Sequence, residues 1–316
     1  MWLRRKVRDS LPEPLRRLAR QGRHAAGDFT LRLLAALGLQ RRALGRAPDL
    51  VHPRFFTDKV RWRMLYDRRP LLEMCSDRLA TRDYVAALAG EKYLVPLLGV
   101  FERPEEIPWG ELSPPYVVKA THGQGWNIFV QAPEEVDPEG FRQTLAGWLK
   151  SNFYYVNWEW SYKRVPRRIM VERFIGLDGQ IPEDFKFYCF EGGTRAIAIC
   201  NDRFTPAERF TLRDPSWDIL TRFHRKYPAD PTPPPSRLGE MVELAGVLSR
   251  AFDFVRVDLY CVGDRVYFGE LTPTPSGGTL IFSDENETWL GEPWHLPTRA
   301  AVKKRAPSTH TSGRRD

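Results

Sequence analysis

The sequence predicts an α+β fold in which short antiparallel strands are joined by tight turns. A Gly-Gly turn separates the strand-like segments Asp184–Phe190 and Arg195–Cys200. A Gly-Asp turn separates Phe254–Cys261 from Arg265–Leu271. Parallel strands need long crossover connections, so these hairpins argue against a doubly wound parallel sheet.

The first half of the chain predicts helices followed by short strands. Residues 55–89 have helical spacing with breaks at Pro70 and near Ser76, which is the predicted N-cap of the helix that Gly90 ends. The segments that follow are three extended pieces and a helix: Tyr93–Phe101, Tyr116–Thr121, Asn127–Gln131 and Phe141–Tyr154.

The second half predicts strands around one more helix. Ile169–Ile175 is the strand before the first hairpin, and a proline-rich break over residues 228–235 precedes a helix from Leu238 to Phe252. The second hairpin completes the predicted sheet.

Composition excludes several classes of protein. Of the 316 residues, 42% are hydrophobic and 28% are charged, which argues against a wholly disordered chain. The longest apolar run, Phe29–Leu39, carries Arg32 and is too short to span a bilayer. The four cysteines form no C-x-x-C pair, so neither a zinc ribbon nor a disulfide framework organises the fold. We expect a soluble, intracellular protein.

The net charge of +8 is concentrated at the two ends of the chain. Residues 1–50 hold twelve basic and four acidic residues, and residues 303–316 hold five basic and one acidic residue. We therefore predict a basic amphipathic extension over 1–50, a slightly acidic body over 51–302 and a basic disordered tail over 303–316. The extension either contacts an anionic membrane surface from the cytoplasmic side or docks on the body as a solvated helix. Nucleic-acid binding ranks low because the body is acidic.

The first segment with chemical potential is an apolar strand that carries Lys119. It runs into a loop with glycines at Gly123 and Gly125. Glycines let backbone N–H groups approach phosphate oxygens closely, and a lysine adds a point charge. The alternative is an ordinary hairpin turn.

The second segment is the strand Asp184–Phe190. Period-two alternation places Asp184, Lys186 and Tyr188 on one face and apolar side chains on the other. Charged side chains on such a strand need partners. They form either an ion pair or a site for an anionic phosphate or carboxylate.

The third segment is the C-terminal hairpin, in which register decides whether two carboxylates meet. A two-residue turn pairs Val262 with Arg265 and places Asp258 and Glu270 on opposite faces. A three-residue loop pairs Val262 with Val266 and brings the two carboxylates opposite each other. Facing carboxylates repel unless a cation lies between them, and carboxylate oxygens with phosphates suit Mg²⁺. The alternative is that they point apart into solvent.

Together these segments resemble an ATP-grasp domain, and more closely its teichuronopeptide-biosynthesis (TupA-like) branch. The resemblance runs from about Phe55 to Trp294. Its ordered blocks are Phe56–Trp62, Leu65–Asp67, Ser76–Arg78, Gly90–Gly99, Val118–Gly125, Asp184–Phe190, Asn201–Phe204, Val255–Tyr260 and Phe268–Thr272. The resemblance implies two α+β subdomains that grip ATP, after a helical N-terminal extension. Within the body it implies an N-terminal part over 51–110, a nucleotide-covering part over 111–175 and a metal and phosphate part over 176–302.

The resemblance also implies roles for particular residues. Lys119 would contact the ATP phosphates, and Asp184 would reach the ribose, with Glu183 as its rival. The loop that covers the phosphates would be His122, Gly123, Gln124 and Gly125. The hinge strand at the adenine edge would be Glu172, Arg173, Phe174 and Ile175. Lys186 and Arg256 would be catalytic, steadying the transferred phosphate or the substrate carboxylate. The Mg²⁺ ligands would be Asp258, Glu270 and Thr272, where Thr272 stands in place of the asparagine that many ATP-grasp enzymes have.

The implied function is an ATP- and Mg²⁺-dependent carboxylate–amine ligase that forms an amide through an acyl phosphate. The implied setting is cell-surface polysaccharide or teichuronopeptide-type polymer assembly, with small molecules or glycans as substrates. Two alternatives use the same ATP site: a nucleotide-binding scaffold without turnover, and a phosphotransferase that stops at a hydroxyl. The loops 152–166 and 201–213 would select the acceptor. The aromatic run in 152–166 either binds a sugar face or packs under a lid.

Overall fold

The computed structural model describes residues 46–157, 159–177, 179–201, 209–220, 232–280 and 282–302. The predicted extension over 1–50, apart from its last five residues, and the predicted tail over 303–316 lie outside the described residues. Within the described part, no helix combines the length and the apolar character that crossing a bilayer requires.

Helices precede and flank two sheets. They are α1 (Phe56–Tyr66), α2 (Pro70–Ser76), α3 (Arg78–Ala89), α4 (Pro138–Lys150), α5 (Tyr154–Asn157), α6 (Leu238–Ser249) and α7 (Asp284–Gly291). Pro70 begins α2, because a first helical residue needs no N–H for the helix. Asp77, rather than the predicted Ser76, caps α3, since its side chain accepts a hydrogen bond from the Leu79 amide. Gly90 ends α3 with a φ of 96°.

The first sheet is antiparallel and has four strands. They are β1 (Leu97–Phe101), β2 (Tyr116–Ala120), β3 (Asn127–Val130) and β4 (Ile169–Arg173), in the order β1-β4-β2-β3. The extended segment predicted from Tyr93 becomes a strand only at Leu97, because Glu91–Tyr93 forms a turn of 3₁₀ helix.

The second sheet is also antiparallel and has five strands. They are β5 (Asp184–Phe190), β6 (Gly193–Asn201), β7 (Arg209–Arg213), β8 (Val255–Val262) and β9 (Arg265–Thr272), in the order β7-β6-β5-β8-β9. Both predicted hairpins, β5–β6 and β8–β9, are present. The fold is therefore α+β, as the sequence predicted.

Each sheet has one face covered by helices and a second face that is partly open. On this second face of the five-stranded sheet, residues such as Tyr188 and Ala198 pack on α1 and α7. In the second sheet, Phe185 and Phe187 pack in a core with Leu244 and Leu248 of α6. In the first sheet, the covered face packs on α4 through residues such as Val118, Val171 and Leu145. The open faces carry the side chains between these core positions. The division of the body at residues 110 and 175 stays a prediction.

Candidate functional site

The open faces of the two sheets line a single cleft of about 510 Å³. Most of the predicted site residues lie along it. Those whose side chains or backbone line it are Lys119, Gly123, Gln124, Gly125, Glu172, Arg173, Phe174, Ile175, Asp184, Lys186, Arg256, Asp258, Glu270 and Thr272. The sequence blocks that were far apart in the chain therefore meet at one place.

On the first sheet, Glu172 holds two cations. Val117 pairs with Glu172 and Lys119 pairs with Met170, so the Lys119 and Glu172 side chains share the open face. Lys119 Nζ lies 2.6 Å from Glu172 Oε2, and Arg82 Nη1 lies 2.7 Å from Glu172 Oε1. The buried carboxylate thus orients both cations at the wall of the cleft.

The glycine-containing loop is tethered from two sides. Arg78 on α3 donates to the carbonyl oxygens of Ala120 (3.2 Å) and Gly123 (3.3 Å). Gln124 donates to the Tyr162 hydroxyl at 2.8 Å. Gly125 has a φ of 64°, a conformation in which glycine is favoured. These contacts hold the loop at the edge of the cleft.

His122 lies beneath the loop. Its ring packs against the Trp126 ring, and its Nε2 is 2.9 Å from the Trp148 carbonyl oxygen. Burial lowers the pKa of His122 below its usual value. This neutral, buried ring supports the loop from below, and a direct contact with a nucleotide stays a prediction.

The predicted hinge follows β4 at the far end of the cleft. The amides of Arg173 and Phe174 donate to the carbonyl oxygens of Pro96 and Pro115. Phe174 and Ile175 line the cleft, next to Phe129. Two of the backbone N–H groups of the predicted hinge are thus already engaged, and a contact of the hinge backbone with adenine stays a prediction.

On the second sheet, Lys186 lies between two buried carboxylates. Its Nζ donates to the carboxylate of Asp184 and, at 3.0 Å, to Oδ2 of Asp258. Lys186 pairs directly with Asp258 across β5 and β8, which explains the contact. The ion pair and the anion site that the sequence left open are compatible, because these paired charges line the cleft.

Arg256 lies between the two predicted metal ligands. Its guanidinium contacts both Asp258 oxygens at 2.6 Å, and Nη2 is 2.8 Å from Glu270 Oε1. Nη2 also donates to the Thr272 hydroxyl at 3.2 Å, which in turn donates to Glu270 at 2.9 Å. Asp258 and Glu270 therefore do face each other, with the Arg256 cation between them.

The observed pairing of β8 with β9, which brings these carboxylates together, matches neither of the two registers predicted from the sequence. The turn has two residues, since Val262 pairs with Arg265, yet Asp258 still pairs with Glu270. The ladder shifts between Asp258 and Leu259 because Gly269 is an extra residue on β9, a β-bulge. A Cβ at Gly269 would lie 2.9 Å from the Tyr260 ring and 3.0 Å from the Asp258 carbonyl oxygen. The expectation that a two-residue turn separates the carboxylates was wrong because of this bulge.

The two facing carboxylates titrate differently. Burial raises the pKa of Asp258 to about 6, against the opposing effect of Arg256 and Lys186. Burial also acts on Glu270, but Arg256, Arg78 and Lys186 outweigh it and lower the Glu270 pKa to about 2. Glu270 is therefore fully ionised at neutral pH. Of the two carboxylates, Asp258 is the one whose ionisation a nearby cation would increase more.

The oxygen donors at this place fit a hard divalent cation. Asp258, Glu270 and Thr272 offer two carboxylates and a hydroxyl on adjacent strands. Across the described residues, no group of three or more His, Cys, Asp or Glu side chains could hold a metal unaided. Mg²⁺ is commonly held by one or two carboxylates together with substrate phosphates and water, so the donor set matches magnesium with a phosphate ligand.

Sequence reasoning missed two cationic residues of the site. Arg78 and Arg82 lie four residues apart on α3, so both project from one face of the helix into the cleft wall. That spacing was the available signal. The aromatic run in 152–166 packs mainly in a buried cluster with Leu72, and Tyr162 of this run also lines the cleft.

The solved structures to which this chain is similar are distant from it in sequence. The ATP-grasp ligase PsnB, solved with a phosphomimetic precursor variant, Mg and ADP, is 9% identical over 75% of this chain and 63% of its own, with a TM-score of 0.42. D-alanine–D-alanine ligase from Bacillus anthracis, solved with ATP, is 16% identical over 65% and 56%, with a TM-score of 0.38. N5-carboxyaminoimidazole ribonucleotide synthetase from Thermus thermophilus is 16% identical over 64% and 46%, with a TM-score of 0.36. This chain thus spans less than two thirds of each of them.

A search of curated proteins gives no match. A comparison with family profiles does: the profile described as TupA-like ATPgrasp matches residues 58–295, which is well over half of the chain and contains both sheets. The α+β architecture and the cleft between its sheets are accordingly those of an ATP-grasp fold, and this chain belongs to the TupA-like ATP-grasp family.

Proposed function

We propose that this protein is an ATP- and Mg²⁺-dependent ligase that joins a carboxylate to an amine through an acyl phosphate. The observation that carries the proposal is the pairing of Asp258 with Glu270 around Arg256, on the wall opposite Lys119. One wall offers cations for phosphates, and the other offers carboxylates for a divalent ion. Family membership supports the same interpretation.

The lining of the cleft suggests how the nucleotide would lie. Its hinge end is apolar, with Val117, Phe129, Met170 and Phe174 along the wall, and would take the adenine ring near Ile175. Asp184, further along the cleft, would meet the ribose. The phosphates would then lie between the two walls, and the loop of Gly123, Gln124 and Gly125 would cover them.

Arrival of the phosphates would require an exchange of partners. Lys119 and Arg82 now share Glu172, so each cation is already oriented before a nucleotide binds. The negative charge of a triphosphate would compete with Glu172 for Lys119. Arg82 would keep Glu172 paired when Lys119 turns to the phosphates.

Magnesium would be held by Asp258, Glu270 and Thr272. When bound, it would neutralise charge on the phosphates. Arg256 would then share these carboxylates with the ion, and its guanidinium remains next to them to bind an anionic substrate.

The chemistry would proceed in two transfers. A carboxylate oxygen of the acceptor attacks the γ-phosphorus of ATP, and the bond to ADP breaks. An amine then attacks the acyl carbon, and phosphate leaves as the amide forms with loss of a proton. Lys186 and Arg256 would stabilise charge on the phosphoryl group and orient the carboxylate. The glycine-containing loop would keep water from the acyl phosphate.

The cellular setting is also part of the proposal. It includes assembly of a teichuronopeptide-type or other cell-surface polymer, for which the support is the resemblance of the sequence to the TupA-like branch. The basic segment 1–50 supports contact with the inner face of a membrane. Liposome co-sedimentation of the full chain and of a chain starting at Leu50 tests this contact: we expect only the full chain to sediment with anionic vesicles, and equal binding would refute it.

The ligase activity is tested by incubating the protein with ATP, Mg²⁺, a panel of carboxylates and hydroxylamine as a general amine. We expect ADP, phosphate and an acyl hydroxamate. Glu270→Gln keeps the shape of the side chain but removes a charge at the metal site, so ADP release should fall by at least about 100-fold.

The matched control is Glu243→Gln, the same change at an exposed position on α6, which should leave ADP release unchanged. Bound ATP without ADP release for any carboxylate would favour a nucleotide-binding scaffold. Transfer of phosphate to a hydroxyl, with no hydroxamate, would favour a phosphotransferase.

A further inference from the structure

One row of paired residues crosses all five strands of the second sheet, and its side chains change from apolar to charged partway across. Leu212 on β7 pairs with Ala198 on β6, which pairs with Lys186 on β5. Lys186 pairs with Asp258 on β8, which pairs with Glu270 on β9. All five residues line the cleft. The row is therefore charged on β5, β8 and β9 and apolar on β6 and β7, at one end of the sheet.

The apolar half of the row belongs to a larger apolar surface. Phe282, which follows β9, packs in one cluster with Tyr188, Ala198 and Leu212, and these four line the cleft together with Leu280. We call Tyr188, Ala198, Leu212, Leu280 and Phe282 the apolar end of the cleft. Four of these residues, Tyr188, Ala198, Leu212 and Phe282, also belong to the core cluster in which this same face of the sheet packs on α1 and α7, so helices bound the apolar end on one side.

The apolar end lies directly beside Lys186 and Arg256, the two proposed catalytic cations. Lys186 is the neighbour of Ala198 in the row, and Tyr188 pairs with Arg256 in the next row. The apolar end is therefore within reach of the rest of a substrate whose carboxylate is held by Lys186 and Arg256.

We infer that the acceptor of this ligase is a carboxylate that carries an aliphatic or aromatic group, and that this group binds at the apolar end. The inference rests on the proposed function. Methyl and methylene groups gain from contact with leucine, alanine and phenylalanine side chains. A sugar acid would lose most of its hydrogen bonds to water there, because Tyr188 has the one polar side-chain group among the five residues, so the site selects against a hydroxylated acid.

The test compares 4-methylpentanoate with D-glucuronate as the only carboxylate, with ATP, Mg²⁺ and hydroxylamine. The readout is kcat/KM for hydroxamate formation. We expect the value for 4-methylpentanoate to exceed that for D-glucuronate by at least about tenfold. Equal values, or a preference for D-glucuronate, would overturn the inference while leaving the ligase function intact. No hydroxamate from any carboxylate would overturn the ligase function itself.

Two variants of Leu212 locate the selectivity. Leu212→Gln places an amide at the apolar end and should reduce the preference at least about tenfold. Leu212→Ala, which removes apolar contact without adding a polar group, should lower kcat/KM for 4-methylpentanoate by about tenfold and provides the test if the first variant does not fold. The control is Leu220→Gln, because Leu220 packs on the same core cluster without belonging to the apolar end. An unchanged preference in folded Leu212 variants would refute the inference.

Discussion

Two clusters of largely buried charge are found in the described part of this protein, and only one of them lines the cleft. The cleft cluster consists of Asp184, Lys186, Arg256, Asp258 and Glu270. The other, which we call the sealed cluster because none of its residues lines the cleft, consists of Arg63, Asp67, Arg69 and Asp253. Both alternate acidic and basic groups at distances below 4 Å, and both involve the segment that contains β8.

The sealed cluster is a structural joint. Arg63 is fully buried and lies 2.7 Å from Asp253, and it also donates to the carbonyl oxygens of Phe254 and Pro273. Trp294 donates to the second oxygen of Asp253 at 2.8 Å. These bonds fasten α1 to the start of β8 and the end of β9. Buried, paired charge is therefore no mark of function by itself, and access to the cleft is what separates the two clusters.

The largest expected effect is a loss of stability when a residue of the sealed cluster, Asp253, is replaced. Burial opposes ionisation of Asp253, but Arg63 and Arg69 keep its pKa below the usual value. Asp253→Asn leaves Arg63 buried without its nearest carboxylate, so the free energy of unfolding should fall by about 3–5 kcal/mol. Urea unfolding measures it. Asp264→Asn, in the exposed turn of the C-terminal hairpin, is the control and should have little effect.

If Asp253→Asn instead left stability unchanged and abolished nucleotide binding, the distinction between the two clusters would be wrong.

The next effect concerns Glu287, another buried carboxylate away from the cleft. It accepts hydrogen bonds from the amide (2.8 Å) and hydroxyl (3.0 Å) of Thr57 at the start of α1. Burial raises the pKa of Glu287 to about 7, with Arg46 opposing and Asp58 adding to the rise. Because the pKa of Glu287 is raised in the folded state, its protonated form stabilises the fold at low pH. This contribution to the free energy of unfolding is lost as the pH rises through about 7.

We therefore expect wild type, relative to Glu287→Gln, to lose up to about 3 kcal/mol of unfolding free energy between pH 4.5 and pH 8. Urea unfolding at both pH values measures the difference. Glu285→Gln, exposed on the same helix, should follow wild type. Parallel pH profiles for wild type and Glu287→Gln would contradict the assignment.

A smaller effect is expected at the opposite wall of the cleft. Lys119→Met removes one charged hydrogen-bond donor from the phosphate wall, so the Kd for ATP should rise by about 10- to 100-fold. Titration calorimetry measures it. Because Arg82 still pairs with the buried Glu172 in this variant, unfolding in urea should change little. Lys150→Met, at the exposed end of α4, should change neither quantity, and an unchanged Kd in Lys119→Met would remove Lys119 from the site.

The smallest effect is expected for a surface ion pair. Arg103 and Glu106 lie 2.7 Å apart with both side chains exposed. Water screens such a pair, so Glu106→Gln should leave the urea midpoint unchanged within error. A clear shift would mean that ion-pair distance alone predicts stability here, and the contrast between sealed, cleft and surface charge would lose its basis.

Local patterns predicted much of this architecture. Alternation along β5 assigned Asp184 and Lys186 to one face correctly, because the side-chain period of a strand is fixed. Arg82 escaped notice because its partner Glu172 is distant in sequence, and only tertiary packing brings α3 to β4. The sequence predicted Ser76 as the N-cap of α3, one residue before the observed cap Asp77, because local sequence defines a helix boundary only to within one or two residues.

The bulge at Gly269 has a consequence for recognising related hairpins. An additional residue can be accommodated either in the turn or in the body of the strand, and in both cases the same number of residues separates Asp258 from Glu270. Turn type can therefore vary among relatives while the acidic pair survives. Searches for such pairs should hold the separation along the chain constant and leave the loop free.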